Sequence, residues 1–386
     1  MSNLQSKRIL VDGTHLSIQM KGVGRYVANT LWQLSKLDST NEYWILVRED
    51  VKLPSLPQNT RFHYVPIRLW NHFFHGMWSL PRRARLHRTN LAWVPYETTI
   101  GFFSCPYLVT CHDVPDMISQ AERAGGKRFS LVQHLTKLAD GYIHRQSLHS
   151  AAVVFCNSFF VKEWLYKTRG IPTARILYAP CAPGADFASI TQTMDCEAIR
   201  LKLGCPSGYL LAFATGDKRE NVDTVFRVYD QLVSLGLKQR LIVAGVRQSD
   251  RPDMIEGISR YRWQKRALIL PFYGEDQTRN LAEVYAGADV YLDLSLHEGF
   301  GMQVVEAMAS GTAVVCSNAG AIPEVAGDAA VLVDACDANA IARALSQILD
   351  DLDLRYRLAK RGQQQAAKYT WRQTATTILE AFETLA

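Results

Sequence analysis

Ser295–Pro323 reads SLHEGFGMQVVEAMASGTAVVCSNAGAIP and follows directly on the apolar run VYLDL. A strand therefore enters a turn, Gly299-Phe300-Gly301, and the turn enters a helix. Glycines let main-chain N–H groups come close to a ligand. A helix N-terminus adds positive partial charge suited to a phosphate. Glu298 and Glu306 flank the turn, and each can accept hydrogen bonds from vicinal hydroxyls. The combination fits a nucleotide sugar, with the sugar at one glutamate, the diphosphate at the turn and the ribose at the other. A carboxylate pair also serves glycoside hydrolysis, but a glycine turn over a helix start favours phosphate. The plain alternative is a β–α turn with surface glutamates.

Outward from this stretch, short apolar runs alternate with helical patterns. Upstream of it lie Tyr209–Ala214, Leu241–Gly245 and Ala267–Leu270, and downstream lie Ala313–Cys316 and Val331–Val333. Helical patterns intervene at Asn221–Leu235, Gln277–Ala286 and Ala338–Leu349. The N-terminal half repeats the theme with Arg8–Asp12, Tyr43–Arg48, Leu91–Val94, Tyr107–Cys111, Ala152–Cys156 and Arg175–Tyr178, and helices at Arg25–Leu37, Phe129–Ser150 and Ser158–Lys167. Alternation of this kind predicts α/β domains with parallel sheets. Ala179–Gly184 is turn-rich and separates the two series. The chain thus reads as two doubly wound domains in tandem, residues 1–188 and 189–369, with a last helix over 370–386. The cleft between such domains is the expected ligand site.

Composition bounds the answer. With 386 residues, 48% hydrophobic and 21% charged, the chain can fill two ordinary cores and is neither disordered nor fibrous. No run of about 18 apolar residues predicts a membrane span, and Met1–Ser6 is polar, without a signal-peptide core. The expected location is the cytoplasm, at the inner face of the membrane. That second clause rests on Pro66–Asn90, which holds Arg68, Arg82, Arg83, Arg85 and Arg88, no acid, and interleaved Trp70, His72, Phe73, Phe74, His75 and Trp78. The stretch reads as a solvated basic face or as a peripheral contact with an anionic lipid surface. No nucleic-acid motif accompanies it. Eight cysteines are scattered without a CxxC pair, so reduced, mostly buried thiols are expected, and the spacing suggests no zinc site.

The Glu298–Glu306 spacing around Gly299-Phe300-Gly301 resembles the E-x7-E motif of retaining glycosyltransferases of family 4, the glycosyl transferases group 1 class. Phe272–Gly274, Leu281–Asp289 (LAEVYAGAD), Ser310-Gly311-Thr312 and Pro323-Glu324-Val325 match the surroundings of that motif. The resemblance extends over nearly the whole chain. It implies a GT-B fold, two Rossmann-like domains facing across a cleft, with the C-terminal segment packed back on the first. It implies that Glu298 holds donor-sugar hydroxyls and that Phe300, Gly301 and Met302 present amides to sugar or diphosphate. Glu306 would take the ribose, Tyr273 and Gly274 would line the base pocket, and Gly245 would close the strand beneath the nucleotide. Gly22, Val23 and Gly24 resemble the loop that closes over the diphosphate. His112, at the end of LVTC, would reach the donor sugar as a catalytic-site contact. Asn157-Ser158 resembles another cleft position, although Ser158 also suits a helix cap.

One departure stands out. Family members carry an arginine and a lysine after the first strand of domain two, to neutralise the diphosphate. Here Thr215 and Glu220 occupy those positions, in Ala214-Thr215-Gly216-Asp217-Lys218-Arg219-Glu220-Asn221. A glutamate beside a diphosphate is repulsive, so Lys218 or Arg219, or Arg25 from the first domain, is expected to compensate; otherwise donor binding is weak. The resemblance implies retaining transfer by same-face attack. No DxD motif supplies a metal ligand, so no cofactor and no metal are expected beyond the nucleotide-sugar co-substrate. The donor expected first is a UDP-hexose such as UDP-glucose, then GDP-mannose. The acceptor expected is a bacterial polysaccharide or lipid-linked saccharide of exopolysaccharide or cell-envelope synthesis. A nucleotide-sugar epimerase and a catalytically weak sugar-nucleotide-binding protein are the competing readings.

Overall fold

A computed structural model describes residues 6–69, 71, 74–97, 99, 102–114, 131–184, 187–191, 194–274 and 277–385, with backbone only over 131–140 and 190–191. Trp70, His72 and Phe73 of the basic aromatic stretch lie outside the described residues. Two compact units result. One comprises the described residues of Met1–Val114, Gly126–Cys181 and Thr370–Ala386, the other those of Ala182–Tyr369.

The first unit contains β1 (Arg8–Asp12), α1 (Gly22–Leu37), β2 (Glu42–Arg48), β3 (Phe62–Ile67), α2 (Leu80–Leu86), β4 (Leu91–Val94), β5 (Tyr107–Cys111), α3 (Leu131–Ser150), β6 (Val153–Cys156), α4 (Phe159–Lys167) and β7 (Ile176–Tyr178). Its strands are all parallel, in the order β3-β2-β1-β4-β5-β6-β7. The residues of β4, β5 and β6 are buried throughout. Helices cover both faces of such a sheet, which is why these strands read as continuous apolar runs rather than as alternating ones. Ser158 caps α4 by accepting from the Val161 N–H at 3.1 Å.

The second unit contains α5 (Cys196–Lys202), β8 (Tyr209–Phe213), α6 (Val222–Ser234), β9 (Arg240–Val246), α7 (Arg251–Ser259), β10 (Ala267–Pro271), α8 (Thr278–Ala286), β11 (Val290–Asp293), α9 (Met302–Ala309), β12 (Ala313–Ser317), β13 (Val331–Val333), α10 (Ala338–Asp350) and α11 (Leu352–Ala366). Its parallel order is β10-β9-β8-β11-β12-β13. The core packs Leu210, Val243, Leu292 and Val315 of the sheet against Phe226 and Tyr229 of α6 and Ile341 and Leu345 of α10. Trp263 stacks on Tyr261 at 4.8 Å and closes one edge.

The last helix, α12 (Trp371–Thr384), belongs to the first unit. Thr370 caps it through the Gln373 N–H. Trp371 meets Tyr26 of α1 edge-on at 5.6 Å, and Phe382 packs on Trp93 of β4. Lys7 Nζ donates to the Phe382 carbonyl at 2.7 Å. Ile378 and Phe382 are fully buried, each contributing about 1.5–3 kcal/mol relative to exposure.

In both units the strand order reverses at the start, between β1 and β4 and between β8 and β11. At such a switch point the outgoing loops diverge to opposite faces and leave a crevice at the strand C-termini. Gly22 to Gly24 follow β1, and Lys218, Arg219 and Glu298 to Glu306 follow β8 and β11, at these two places; His112 follows β5, Gly245 lies in β9, and Tyr273 and Gly274 follow β10 at the edge of the second sheet.

Candidate functional site

In the second unit the loops leaving β8 and β11 are stitched together by the Leu296 N–H donating to the Arg219 carbonyl at 2.7 Å. Asp293 ends β11 and is a structural anchor, accepting from Tyr291 Oη and from the Ser295 N–H, each at 3.0 Å. Half-buried Glu298 follows. Its carbonyl accepts from the Ala321 N–H at 2.9 Å. A Cβ on Gly320 would meet that carbonyl oxygen at 2.4 Å, so glycine is required for this approach. Gly299 and Phe300 are buried, and Gly301 turns the chain at φ +91° as the N-cap of α9. No side chain caps this helix. Its first turn, from Met302, therefore keeps the main-chain polarity that attracts an anion.

Glu306 lies one turn into α9, only 1% exposed, and accepts from Tyr285 Oη at 3.1 Å. The sequence reading places a ribose there; in the structure the carboxylate lies inside the unit with a tyrosine as partner. Gly245 sits in β9 at φ +80°, packed against Phe213. Tyr273 and Gly274 follow β10 and are half-buried, and burial raises the Tyr273 phenol above its ordinary value.

The departure at Thr215 and Glu220 has a simple geometry. The Thr215 N–H and Oγ1 each donate to the Glu220 carboxyl at 2.7 Å. The two residues that replace the expected cations are thus each other's partners. Burial raises the Glu220 carboxyl above its usual range, against the pull of the Thr215 bonds. Arg219 is forked onto Asp217, Nε at 3.0 Å and Nη2 at 2.9 Å, while Lys218 is exposed. Glu220, Asp293 and Glu298 line a cavity of about 10 Å³, room for about one water molecule. A sugar nucleotide would therefore lie outside it, along the glycine turn.

The first unit gathers a different set. His112 leaves β5 held on three sides. Its N–H donates to Glu97 Oε1 at 3.2 Å, its Nε2 lies 3.0 Å from the Pro95 carbonyl, and its own carbonyl accepts from Asn157 Nδ2 at 2.9 Å. A carbonyl can only accept, so the ring carries its proton on Nε2 and presents Nδ1 as acceptor. Tyr26 packs edge-on against the imidazole at 4.8 Å. Burial, opposed by the Pro95 bond, pushes the imidazole down to about 4, so it is neutral near pH 7. Glu97 is buried, and that burial pushes its carboxyl up to about 7 against the pull of its hydrogen bonds from Cys111 and the His112 N–H.

At the end of β1, buried Asp12 accepts from the Thr14 N–H and Oγ1 at 3.1 and 2.7 Å and lies 3.4 Å from His75 Nε2. Burial alone would raise this carboxyl; His75, with His15 and Thr14, outweighs it and holds Asp12 well below the carboxylate range. Gly22 and Val23 open α1, and buried Gly24 sits so close to the His15 carbonyl that a Cβ would stand 2.4 Å from it.

Sequence reasoning passed over Asp12, Glu97, Tyr26 and Tyr285, and placed His75 only in the basic aromatic stretch. A weak signal existed for Asp12 and Glu97, an acid that ends one apolar strand and an acid shortly after another. None existed for His75, which meets Asp12 only through the fold. The thiols also differ from expectation in part, since Cys196 and Cys336 are exposed. Both lie at helix or loop positions outside the apolar strands that suggested burial.

Residues 205–365 match the family described as glycosyl transferases group 1. Among curated proteins the chain is 29% identical over 246 residues to O-antigen chain mannosyltransferase B of Escherichia coli, covering 62% of each chain. Over 297 residues it is 26% identical to the serotype-specific mannosyltransferase WbdA of Escherichia coli, covering 75% of this chain and 35% of that one. The chain thus spans less than two thirds of the length of these relatives. Among solved structures it superposes on sucrose-phosphate synthase from Thermosynechococcus elongatus with a TM-score of 0.75 at 19% identity, covering 98% of this chain and 99% of that one. At such identity the likeness speaks for the fold, and the architecture of two parallel-sheet units is GT-B.

Proposed function

We propose that this chain, whose residues 205–365 match the family described as glycosyl transferases group 1, transfers a hexose from a nucleotide sugar to a saccharide acceptor of bacterial polysaccharide synthesis. The observation that carries the reading is the switch-point turn of the second unit. There Glu298, the turn at Gly301 and the uncapped start of α9 follow one another within a few residues. Glu298 would hold donor hydroxyls, and the amides of Phe300 to Met302 would face the departing diphosphate. Charge that develops on the leaving phosphate is stabilised by such fixed N–H dipoles without reorganisation. In the first unit His112 would present neutral Nδ1 to a sugar hydroxyl, held in place by Pro95, Asn157 and Glu97. Retention through same-face attack would need no protein nucleophile.

The names of the E. coli relatives favour a mannosyl donor, which puts GDP-mannose ahead of the UDP-glucose that sequence reading ranks first. A thermal-shift panel with GDP, UDP, ADP and NAD decides, because a ligand of the folded state raises Tm by mass action. GDP alone should shift the protein, and GDP should be released from GDP-mannose in the presence of acceptor. A shift with UDP alone restores UDP-glucose. Tm unmoved by all four, with no nucleotide release, would sink the reading.

Transfer is proposed to be metal-independent; activity abolished by EDTA and restored by Mn²⁺ would overturn that. No helix among the described residues is long and apolar enough to cross a membrane. A peripheral contact is proposed instead, at a cavity of about 870 Å³ in the first unit, lined by Arg68, Trp78, Arg82, Arg83 and Leu86 among others. Burial, then neighbouring Arg82, pulls the Arg83 guanidinium below its ordinary value. An anionic headgroup or a lipid-linked phosphate would relieve that repulsion. Sedimentation with vesicles containing anionic lipid, and not with neutral ones, is the expected result.

A further inference from the structure

The cysteine spacing of this chain contains no zinc motif, yet the fold brings ligands of three kinds together. Glu97, Cys111 and His144 place a carboxylate oxygen, a sulfur and an imidazole nitrogen within 4.8 Å of one another. They come from three elements, the loop after β4, the last residue of β5, and α3. Glu97 and Cys111 are buried and His144 is half-buried. Glu97 Oε1 lies 3.9 Å from His144 Nε2.

Oxygen, nitrogen and thiolate sulfur are the ligand atoms of zinc, at about 2.0–2.3 Å from the ion. A tetrahedron with those bonds sets its ligand atoms roughly 3.3–3.8 Å apart. From separations of up to 4.8 Å, a contraction of at most about 1.5 Å would place all three on one ion and leave the fourth position for water. Two of the three ligands are anchored at the C-terminal ends of the interior strands β4 and β5, and the histidine arm on α3 supplies the adjustment. A lone thiol or a surface carboxylate pair offers none of this, because neither combines soft sulfur with nitrogen in a buried setting.

We propose that Glu97, Cys111 and His144 bind one thiophilic divalent cation of the zinc type. Such an ion would tie α3 to the strand end that carries His112, since Glu97 Oε1 also accepts the His112 N–H. It stands in the first unit, apart from the glycine turn of the second, and no step of sugar transfer passes through it.

Cobalt tests this directly, because a thiolate on Co²⁺ gives a near-ultraviolet charge-transfer band. The full chain is freed of metal, kept reduced with a phosphine, and carries Cys196→Ser and Cys336→Ser so that the exposed thiols cannot contribute. Titration should give the band, saturating at one equivalent and displaced by Zn²⁺. Cys111→Ser in that background should abolish it. His144→Gln, a near-isosteric substitution on a helix rather than in a core strand, keeps the fold if Cys111→Ser does not, and should weaken binding at least tenfold. Zn²⁺ should also raise the Tm of the parent and not that of either variant. A parent without the band, or a band that survives Cys111→Ser or is unweakened in His144→Gln, overturns the proposal. Because the readouts are spectroscopic and thermal, they are independent of whether the protein transfers mannose, glucose or nothing.

Discussion

The two units share one strand order around their switch points and use it in opposite ways. After β11, eight residues separate Asp293 from Met302, and the main chain itself forms the site: a glycine turn, a helix start, a carbonyl wedged against Gly320. After β1, β4 and β5 the connections are longer, and side chains do the work. Asp12 meets His75, Glu97 meets His112, and Asn157 and Pro95 fix the peptide and ring of that histidine. A backbone site suits a ligand part common to many substrates, such as a diphosphate. A site of side chains on long loops suits a part that varies from one substrate to another.

The largest effect should come where the backbone site carries its own side chain. Glu298→Ala should lower kcat about 10²–10³-fold, the cost of removing one preorganised polar contact, with nucleotide affinity nearly unchanged in a thermal shift with GDP or UDP. If nucleotide affinity falls instead and kcat holds, the division of labour along the turn is wrong. His112→Ala should lower kcat about 10²-fold; an unchanged kcat would leave the first unit a mere platform.

Gly320→Ala tests the wedge. The new Cβ meets the Glu298 carbonyl at a position of φ +61°, so stability should fall by about 2–3 kcal/mol in urea unfolding, with kcat lowered in the same variant. His75→Ala is the matching test in the first unit. It leaves Asp12 as a buried charge without its imidazole, a loss of about 3 kcal/mol. The sign with pH follows. Asp12 has its folded pKa depressed, so its contribution is present above the unfolded carboxylate value of about 3.9 and is lost as pH falls toward the folded value. Wild type and variant should therefore converge in stability as pH drops below about 4. The smallest effect is expected from Glu220→Lys. It removes the acceptor of Thr215 and places a cation where the family has one, so nucleotide diphosphate affinity should rise by about 3–10-fold at low salt. An unchanged or weaker affinity would show that the Thr215–Glu220 pair is not what limits the anion there.

Much of the fold was legible because parallel strands buried on both faces leave continuous apolar runs, as in LVTC and VVFC, and because caps such as Ser158 mark helix starts locally. The Glu298–Glu306 spacing was legible for the same reason, since strand, turn and helix are contiguous. His112 could be picked out at a strand end, but not the three partners that hold it, because Glu97, Pro95 and Asn157 lie far along the chain from it or in other loops. Thr215 and Glu220 could be seen as departures; that they hydrogen-bond to each other could not, because it depends on how the turn over 217–220 folds the carboxyl back.

The sequence by itself therefore determined two α/β series, the glycine turn with its two glutamates and the absence of any contiguous metal motif. These are properties of neighbours along the chain, set by local periodicity and turn chemistry. Only the tertiary structure decided that Glu306 is turned inward to Tyr285, that Asp12 is paired with His75, and that Glu97, Cys111 and His144 converge. Their chain separations are large, and a strand crossover, not a spacing, is what brings such groups within reach of one another.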